Sequence, residues 1–341
     1  MPTSLSQAPR HFGILRRVKP PFLIDTDTAS DDAVALIMAL RSPEARVLAI
    51  TTVAGNVSVR QATRNALYTA ELCDANVPVF AGADKPLNRP HINASWFHGH
   101  DGLGDHNYPV PRRAQEKQSA VDAIIDTVQA NLGLVLVTLG PLTNIAQALL
   151  KNPHIATLVS RCVVMGGAPC CEGNVTPAAE YNIWCDPEAA RIVIHSGLPI
   201  ELVGWHLCRG EAALDPSDIQ KIFNLQTPQA KFTIECNSTA QAAYLKQTGQ
   251  HGISLPDPVA MATALDPSIV TSQSDHYVEV ETQSELTRGM TVVDRLNVAD
   301  DERNRDVWSS SIAKGATGRK TKVFWTIEIS RWKKTLFSAL A

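Results

Sequence analysis

The sequence predicts an α/β fold: an open, mostly parallel Rossmann-like sheet covered by helices on both faces, with a site at the carboxyl ends of its strands. Three observations carry this expectation. Apolar runs of strand length alternate with helix-like segments along most of the chain. The strand runs are continuously apolar, as in strands buried on both faces. Several end in polar residues or glycine, as at 138–140 and 165–167.

In order, residues 22–24 read as a short buried strand and 33–40 as a helix stopped before Pro43. Residues 47–53 form the next strand, 59–72 a helix and 77–80 a third strand. The pattern pauses over 83–118, which hold prolines, glycines and histidines without a period. It resumes with a helix at 121–130, a strand at 134–138, a helix at 142–150 and a strand at 162–165. A helix at 187–195 starts on Pro187 with Asp186 as its cap, and a strand follows at 199–203. Helices are expected at 216–224 and 228–247, a further one starting near Asp257, then strand-like runs near 276–281, 290–293 and 322–328.

The chain has 341 residues, 44% of them apolar, enough for a sizeable core. Nothing cuts 20–341, which reads as one catalytic domain with a long polar loop at 295–320. A formal charge of −3 and a pI near 6.4 give no footprint for nucleic acid, and no apolar run approaches a membrane span. Residues 1–19 carry Arg10, Arg16, Arg17 and Lys19, no acid and no apolar h-region, which predicts a flexible solvated tail over a secretory signal; organellar targeting is the weaker alternative. Seven cysteines, an odd number with no C-x-x-C, predict reduced thiols in a cytoplasmic protein.

The stretch P-F-L-I-D-T-D-T-A-S-D-D-A-V-A-L crowds Asp25, Asp27, Asp31 and Asp32 between a strand and a helix. A helix dipole offsets only about 0.3–1 kcal/mol per exposed charge, and capping needs one Asp. A hard cation such as Ca²⁺ or Mg²⁺ supplies the missing attraction. Two other readings stand beside it: a capped helix with a solvated acidic turn, and the D-x-D-x-T pattern of aspartate-nucleophile phosphatases, in which Asp25 attacks phosphorus. Other strand ends bring oxygens and amides to the same edge: Asn56, Thr138, Met165, then Asn174, Glu180 and Asn182, and finally Asp257 at a helix start. Such groups suit a metal and a polyhydroxylated ligand, and there is no phosphate-cradling glycine loop.

With these blocks in order from 24 to about 294, the chain resembles the inosine-uridine-preferring nucleoside hydrolase family. D-T-D-T-A-S-D-D stands where that family has its aspartate signature. V-T-L-G-P-L-T-N-I-A, V-V-M-G-G-A, A-E-Y-N-I-W-C-D-P-E-A-A, D-P-V-A-M-A and R-G-M-T-V-V-D are similar to its later blocks. The resemblance implies hydrolysis of the N-glycosidic bond of ribonucleosides by a homodimer or homotetramer acting on a small-molecule substrate. It implies one Ca²⁺ held by Asp27, Asp32, Asp257 and the Thr138 carbonyl, with Asp27 taking the proton of the attacking water. Asp31 and Asn56 match residues that hold the ribose hydroxyls, Asn174, Glu180 and Asn182 those on the 5′ side, and Met165 one close to the ribose. Asp25 is expected to fix the loop from behind.

The chain departs from the family at Pro256, where relatives place a histidine or a tryptophan for the leaving base. His98, His100, Tyr244 and His251 are the candidate leaving-group contacts, with His98 similar to a base-side histidine of pyrimidine-preferring relatives. Beside the hydrolase, the residues leave open a metal-dependent phosphohydrolase and a non-catalytic nucleoside- or ribose-binding protein.

Overall fold

A computed structural model describes residues 19–299, 301, 302, 304 and 320–341. The basic tail, Lys19 apart, and most of the 295–320 loop lie outside the described residues. Strands β1 (Pro21–Thr26), β2 (Arg46–Thr52), β3 (Val79–Ala81), β4 (Val135–Thr138), β5 (Arg161–Met165) and β6 (Ile200–Val203) are joined by β7 (Val270–His276) and β10 (Thr321–Ile327) in one sheet. The order is β3-β2-β1-β4-β5-β6-β10-β7, and every neighbouring pair is parallel except β10 with β7. A separate antiparallel hairpin pairs β8 (Val278–Val280) with β9 (Thr291–Val293).

Continuous apolar strands are explained by two cores, one on each face. Phe22, Ile24, Val137 and Val163 face helices α1 (Ser30–Arg41), α2 (Val59–Leu72), α11 (Pro256–Leu265) and α12 (Ile329–Leu340). Leu23, Leu136, Cys162 and Val164 face α4 (Ala120–Ala130), α5 (Thr143–Lys151) and α7 (Pro187–Ile194). Successive side chains of a strand point to opposite faces, so each must be apolar when both are covered. Asp186 caps α7 by accepting from the Ala189 N–H at 3.1 Å. The remaining helices are α3 (Ser95–His98), α6 (Tyr181–Cys185), α8 (Pro216–Asn224), α9 (Pro228–Cys236) and α10 (Ser238–Thr248).

The order β3-β2-β1-β4-β5-β6 reverses direction between β1 and β4, which opens a crevice outside their carboxyl ends. Asp25 near the end of β1 is in register with Thr51 of β2 and Thr138 of β4, so three strands bring their carboxyl ends to one place.

Three expectations change. The single helix at 228–247 is two, α9 and α10, broken at Asn237, whose side chain donates to the Thr233 carbonyl at 2.9 Å and displaces the helical bond. The run at 276–281 is split between the sheet and the hairpin, and β7 begins earlier, in V-T-S-Q-S-D-H, an exposed edge strand with no apolar run to announce it. Helix α12 was not anticipated. It buries Trp332, Leu336 and Leu340 at four-residue spacing and donates from Trp332 Nε1 to the Ala212 carbonyl at 3.2 Å. The seven cysteines are free thiols, and no helix among the described residues is long and apolar enough to cross a membrane. Trp332→Ala should therefore destabilise the fold by about 3–5 kcal/mol, read as a lower urea midpoint with an unchanged slope.

Candidate active site

The turn after β1 and the first turn of α1 place four aspartates at the crevice. Asp25 lies behind it, fully buried, with Thr51 Oγ1 and Asn144 Nδ2 donating to its Oδ1 at 2.5 and 2.8 Å. Burial pushes its carboxyl up to about 7 against the pull of those two bonds. Asp32 is also fully buried and accepts from Thr26 Oγ1 at 2.5 Å and the Ala29 N–H at 2.9 Å. Asp27 accepts from the Asn56 N–H through Oδ2 at 2.5 Å, while its buried Oδ1 has no hydrogen-bond partner. Asp31 likewise keeps a buried Oδ1 without one. Asp257 enters from the first turn of α11.

Asp31, Asp32 and Asp257 each offer a carboxylate oxygen within 4.8 Å of the others. Oxygens that each sit about 2.3–2.6 Å from one Ca²⁺ lie at most about 4.6–5.2 Å apart, so this spacing fits a shared ion. Asp31, expected on the ribose, belongs to this trio, and Asp27, expected on the metal, does not. Asp27 is nevertheless close enough that, after burial, the charges of Asp32 and Asp31 raise its pKa. Burial and then the same neighbours raise Asp257. Among the described residues no lysine or arginine pairs with any of the four. Orphaned buried oxygens in an uncompensated anionic cluster are the donor set a hard cation takes.

Asp31 and Asp257 open into a cleft. Asn56, His98, Met165, Asn174, Glu180 and Asn182 also line it, so the structure brings these expected residues together. Their mapped bonds run largely into the scaffold. Asn174 Oδ1 accepts from the Tyr181 N–H at 2.9 Å, and Asn182 Nδ2 donates to the Leu139 carbonyl at 2.7 Å. Glu180 caps α6 from the Asn182 and Ile183 N–H groups and also accepts from the Gly167 N–H at 2.8 Å. Burial pushes Glu180 up to about 7 despite these donors.

The leaving-group candidates separate. His98, on α3, is buried in the cleft with Nδ1 2.8 Å from Ser30 Oγ and 3.8 Å from Asp31 Oδ1. Burial lowers it to about 4, so the ring is neutral at pH 7. His100 and His251 are exposed and line no part of the cleft. Tyr244 is buried in an adjoining groove, its hydroxyl 3.4 Å from Gln250 Oε1. Pro256 lines the cleft. Sequence reasoning missed Trp96, Phe97 and Trp205, which form its apolar wall, and Asn144, which ties Asp25 to the Thr52 carbonyl at 3.0 Å. The only signal for Asn144 is an amide in the first turn of a helix that is not its cap.

A carboxylate-rich cleft lined by amides at the switch point of a parallel sheet defines an α/β protein with a site for a cation and a polyhydroxylated ligand. The family model for "inosine-uridine preferring nucleoside hydrolase" matches residues 22–320, and the chain belongs to that family. Its reaction is hydrolysis of the N-glycosidic bond of ribonucleosides, in nucleoside catabolism, and the family is metal-dependent. The chain is 39% identical over 290 residues to the pyrimidine-specific ribonucleoside hydrolase RihA of Shewanella sp. (strain MR-7), 84% of this chain and 90% of that one. The structure of a plant nucleoside hydrolase, the PpNRh1 enzyme, superposes with a TM-score of 0.86 at 31% identity, covering 94% of this chain and 98% of that one. A purine-preferring ribonucleoside hydrolase from Gardnerella vaginalis does so with a TM-score of 0.82 at 31% identity over the same shares. The phosphohydrolase reading is thereby not favoured, and Asp25, its would-be nucleophile, is fully buried on Thr51 and Asn144. The binding-protein reading is not favoured either.

Glu180 gives this site a pH signature. A carboxyl raised from 4.5 to about 7 on folding costs nothing below its unfolded pKa, and the cost grows to its full size as pH rises to 7. Glu180→Gln removes that titration. Wild-type stability relative to the variant should fall by up to about 3 kcal/mol between pH 4.5 and 7, measured by urea unfolding at each pH.

Proposed function

We propose that this chain hydrolyses pyrimidine ribonucleosides, uridine foremost, in a Ca²⁺-dependent reaction with Asp27 as general base. The observation that carries the assignment of the base is the state of Asp27: Oδ2 is anchored by the Asn56 N–H and the buried Oδ1 is free to take a proton. Asp27, Asp32, Asp257 and the Thr138 carbonyl hold the cation. Asp31, which opens into the cleft where Asp32 does not, meets the ribose diol with Asn56. Met165, Asn174, Glu180 and Asn182 receive the rest of the sugar. When bound, the cation orients the diol and acidifies a water. The anionic floor stabilises the oxocarbenium-like charge that develops as the bond to nitrogen breaks. The pyrimidine preference is supported by relatives named for pyrimidine substrates, the pyrimidine-specific hydrolase at 39% identity and a uridine nucleosidase of Arabidopsis thaliana at 37%. Residues 20–341 act as one catalytic unit, assembled as a homodimer or homotetramer in the cytoplasm.

His98 is the residue that meets the leaving base. With Ser30 Oγ–H donating to Nδ1, the neutral ring keeps its proton on Nε2 and donates it as a hydrogen bond.

Ribose release should be at least about tenfold faster per enzyme from uridine than from inosine, each at limiting concentration, a difference of pocket contacts. Dialysis against a chelator should abolish it, and Ca²⁺ should restore it. Asp27→Asn should keep its melting temperature and lose about 10²–10⁴-fold in kcat; near-native turnover would remove the base from Asp27. His98→Ala should lose about 10²-fold on uridine and far less on p-nitrophenyl riboside, whose leaving group needs no donor. Equal losses on both would take the role away from His98.

A further inference from the structure

We infer that His91 and Tyr181 are positioning residues for Asp27: together they hold the Gly55–Asn56 peptide so that its N–H stays on Asp27 Oδ2 and Oδ1 stays free. The inference rests on the reading of Asp27 as general base.

The geometry centres on one peptide unit. Its N–H, that of Asn56, donates to Asp27 Oδ2 at 2.5 Å. Its carbonyl oxygen, that of Gly55, takes two partners from distant parts of the chain. His91 Nε2 lies 2.7 Å away and Tyr181 Oη 2.9 Å away. A carbonyl has no proton to give, so His91 must carry its hydrogen on Nε2. The single Tyr181 hydroxyl proton is shared between Gly55 O and the Ile92 carbonyl, 2.7 Å away, and so ties α6 to the loop that carries His91. That loop grips the next peptide as well, because the Ala94 N–H donates to the Asn56 carbonyl at 2.9 Å.

There is no slack between this peptide and the carboxylate. A Cβ on Gly55 would sit 2.1 Å from Asp27 Oδ2. Tyr181 is itself buried and packs with Ala94 and Cys185, so its hydroxyl is delivered from a fixed ring. Donors on a peptide oxygen polarise the N–H of the same unit and strengthen the bond that N–H makes. The His91 donor and the shared Tyr181 proton on Gly55 O therefore tighten the bond to Asp27 Oδ2 and fix which carboxylate oxygen is left without a partner. In this role both act through the peptide, although Tyr181 also lines the cleft.

The test uses the Ca²⁺-loaded enzyme on uridine, with His91→Leu, His91→Gln and Tyr181→Phe. Glutamine sets its amide nitrogen close to where Nε2 of histidine lies, so it keeps a donor that leucine lacks. His91→Leu and Tyr181→Phe should each lower kcat about tenfold with KM unchanged, as a small misplacement of a reacting group does. His91→Gln should recover most of the loss. A second readout is independent of turnover. In calcium-free protein the Asn56 amide proton resonance should move upfield in His91→Leu and Tyr181→Phe, and stay in place in His91→Gln. Native kcat in His91→Leu and Tyr181→Phe, a glutamine variant no better than leucine, or an unmoved Asn56 resonance each overturns the inference. If His91→Leu does not fold, Tyr181→Phe and His91→Gln decide by the same readouts. Near-native kcat in Asp27→Asn would instead defeat the base assignment, and the Asn56 resonance would still report whether the two donors hold the peptide.

Discussion

Four carboxylates, Asp27, Asp31, Asp32 and Asp257, are buried against one another at the point where the sheet reverses its strand order. Removing even one ion from water costs several kcal/mol, and here neighbours of the same sign add to that cost. The surrounding structure can be understood as its response. Helices α1 and α11 both begin here, so their positive ends face the cluster. The Ala29 and Asn56 N–H groups and the Thr26 hydroxyl supply the donors. What these donors leave uncovered includes the free oxygen of Asp31, one of the trio whose carboxylate oxygens converge as a cation needs.

Close approach is as necessary as charge. Asp27 is enclosed by the turns after β2 and β4, where a Cβ on Gly55 would meet its Oδ2 at 2.1 Å and a Cβ on Gly140 its Oδ1 at 2.8 Å. Neither glycine has an unusual φ; the requirement is space alone. The packing around Asp27 thus depends on two missing methyl groups, in the turns after the two strands that flank β1.

Much of this was legible in the sequence because it lies in short, local patterns. The order of the parallel strands' elements follows from continuous apolar runs, and the aspartates are visible as a crowding that capping does not require. Less legible were features decided by distant partners. β7 is polar because it is an edge, and its place is set by β10, which follows it in the chain. Asn237 breaks a helix through a side-chain bond to its own backbone, in a segment whose composition is uniformly helical. His91 lies in a stretch with no period, and its meaning depends on a carbonyl 36 positions earlier in the chain. Trp205 reads as an ordinary strand-end aromatic, and only the fold turns it toward the cleft.

Strand β10 sits between β6 and β7 but is made after both. During synthesis, then, every residue of the acidic cluster has left the ribosome while the outer edge of β6 still lacks its partner. Among the described residues β7 has nothing to pair with in the sheet at that stage, because its neighbour there is β10. The nascent chain carries an open parallel edge, a known route to intermolecular pairing, until the final strand slots in. A cation that gathers Asp31, Asp32 and Asp257 at that stage would hold α1 and α11 together and leave a prepared gap for β10. Metal supply would then govern the yield of folded protein as well as the rate of the finished enzyme.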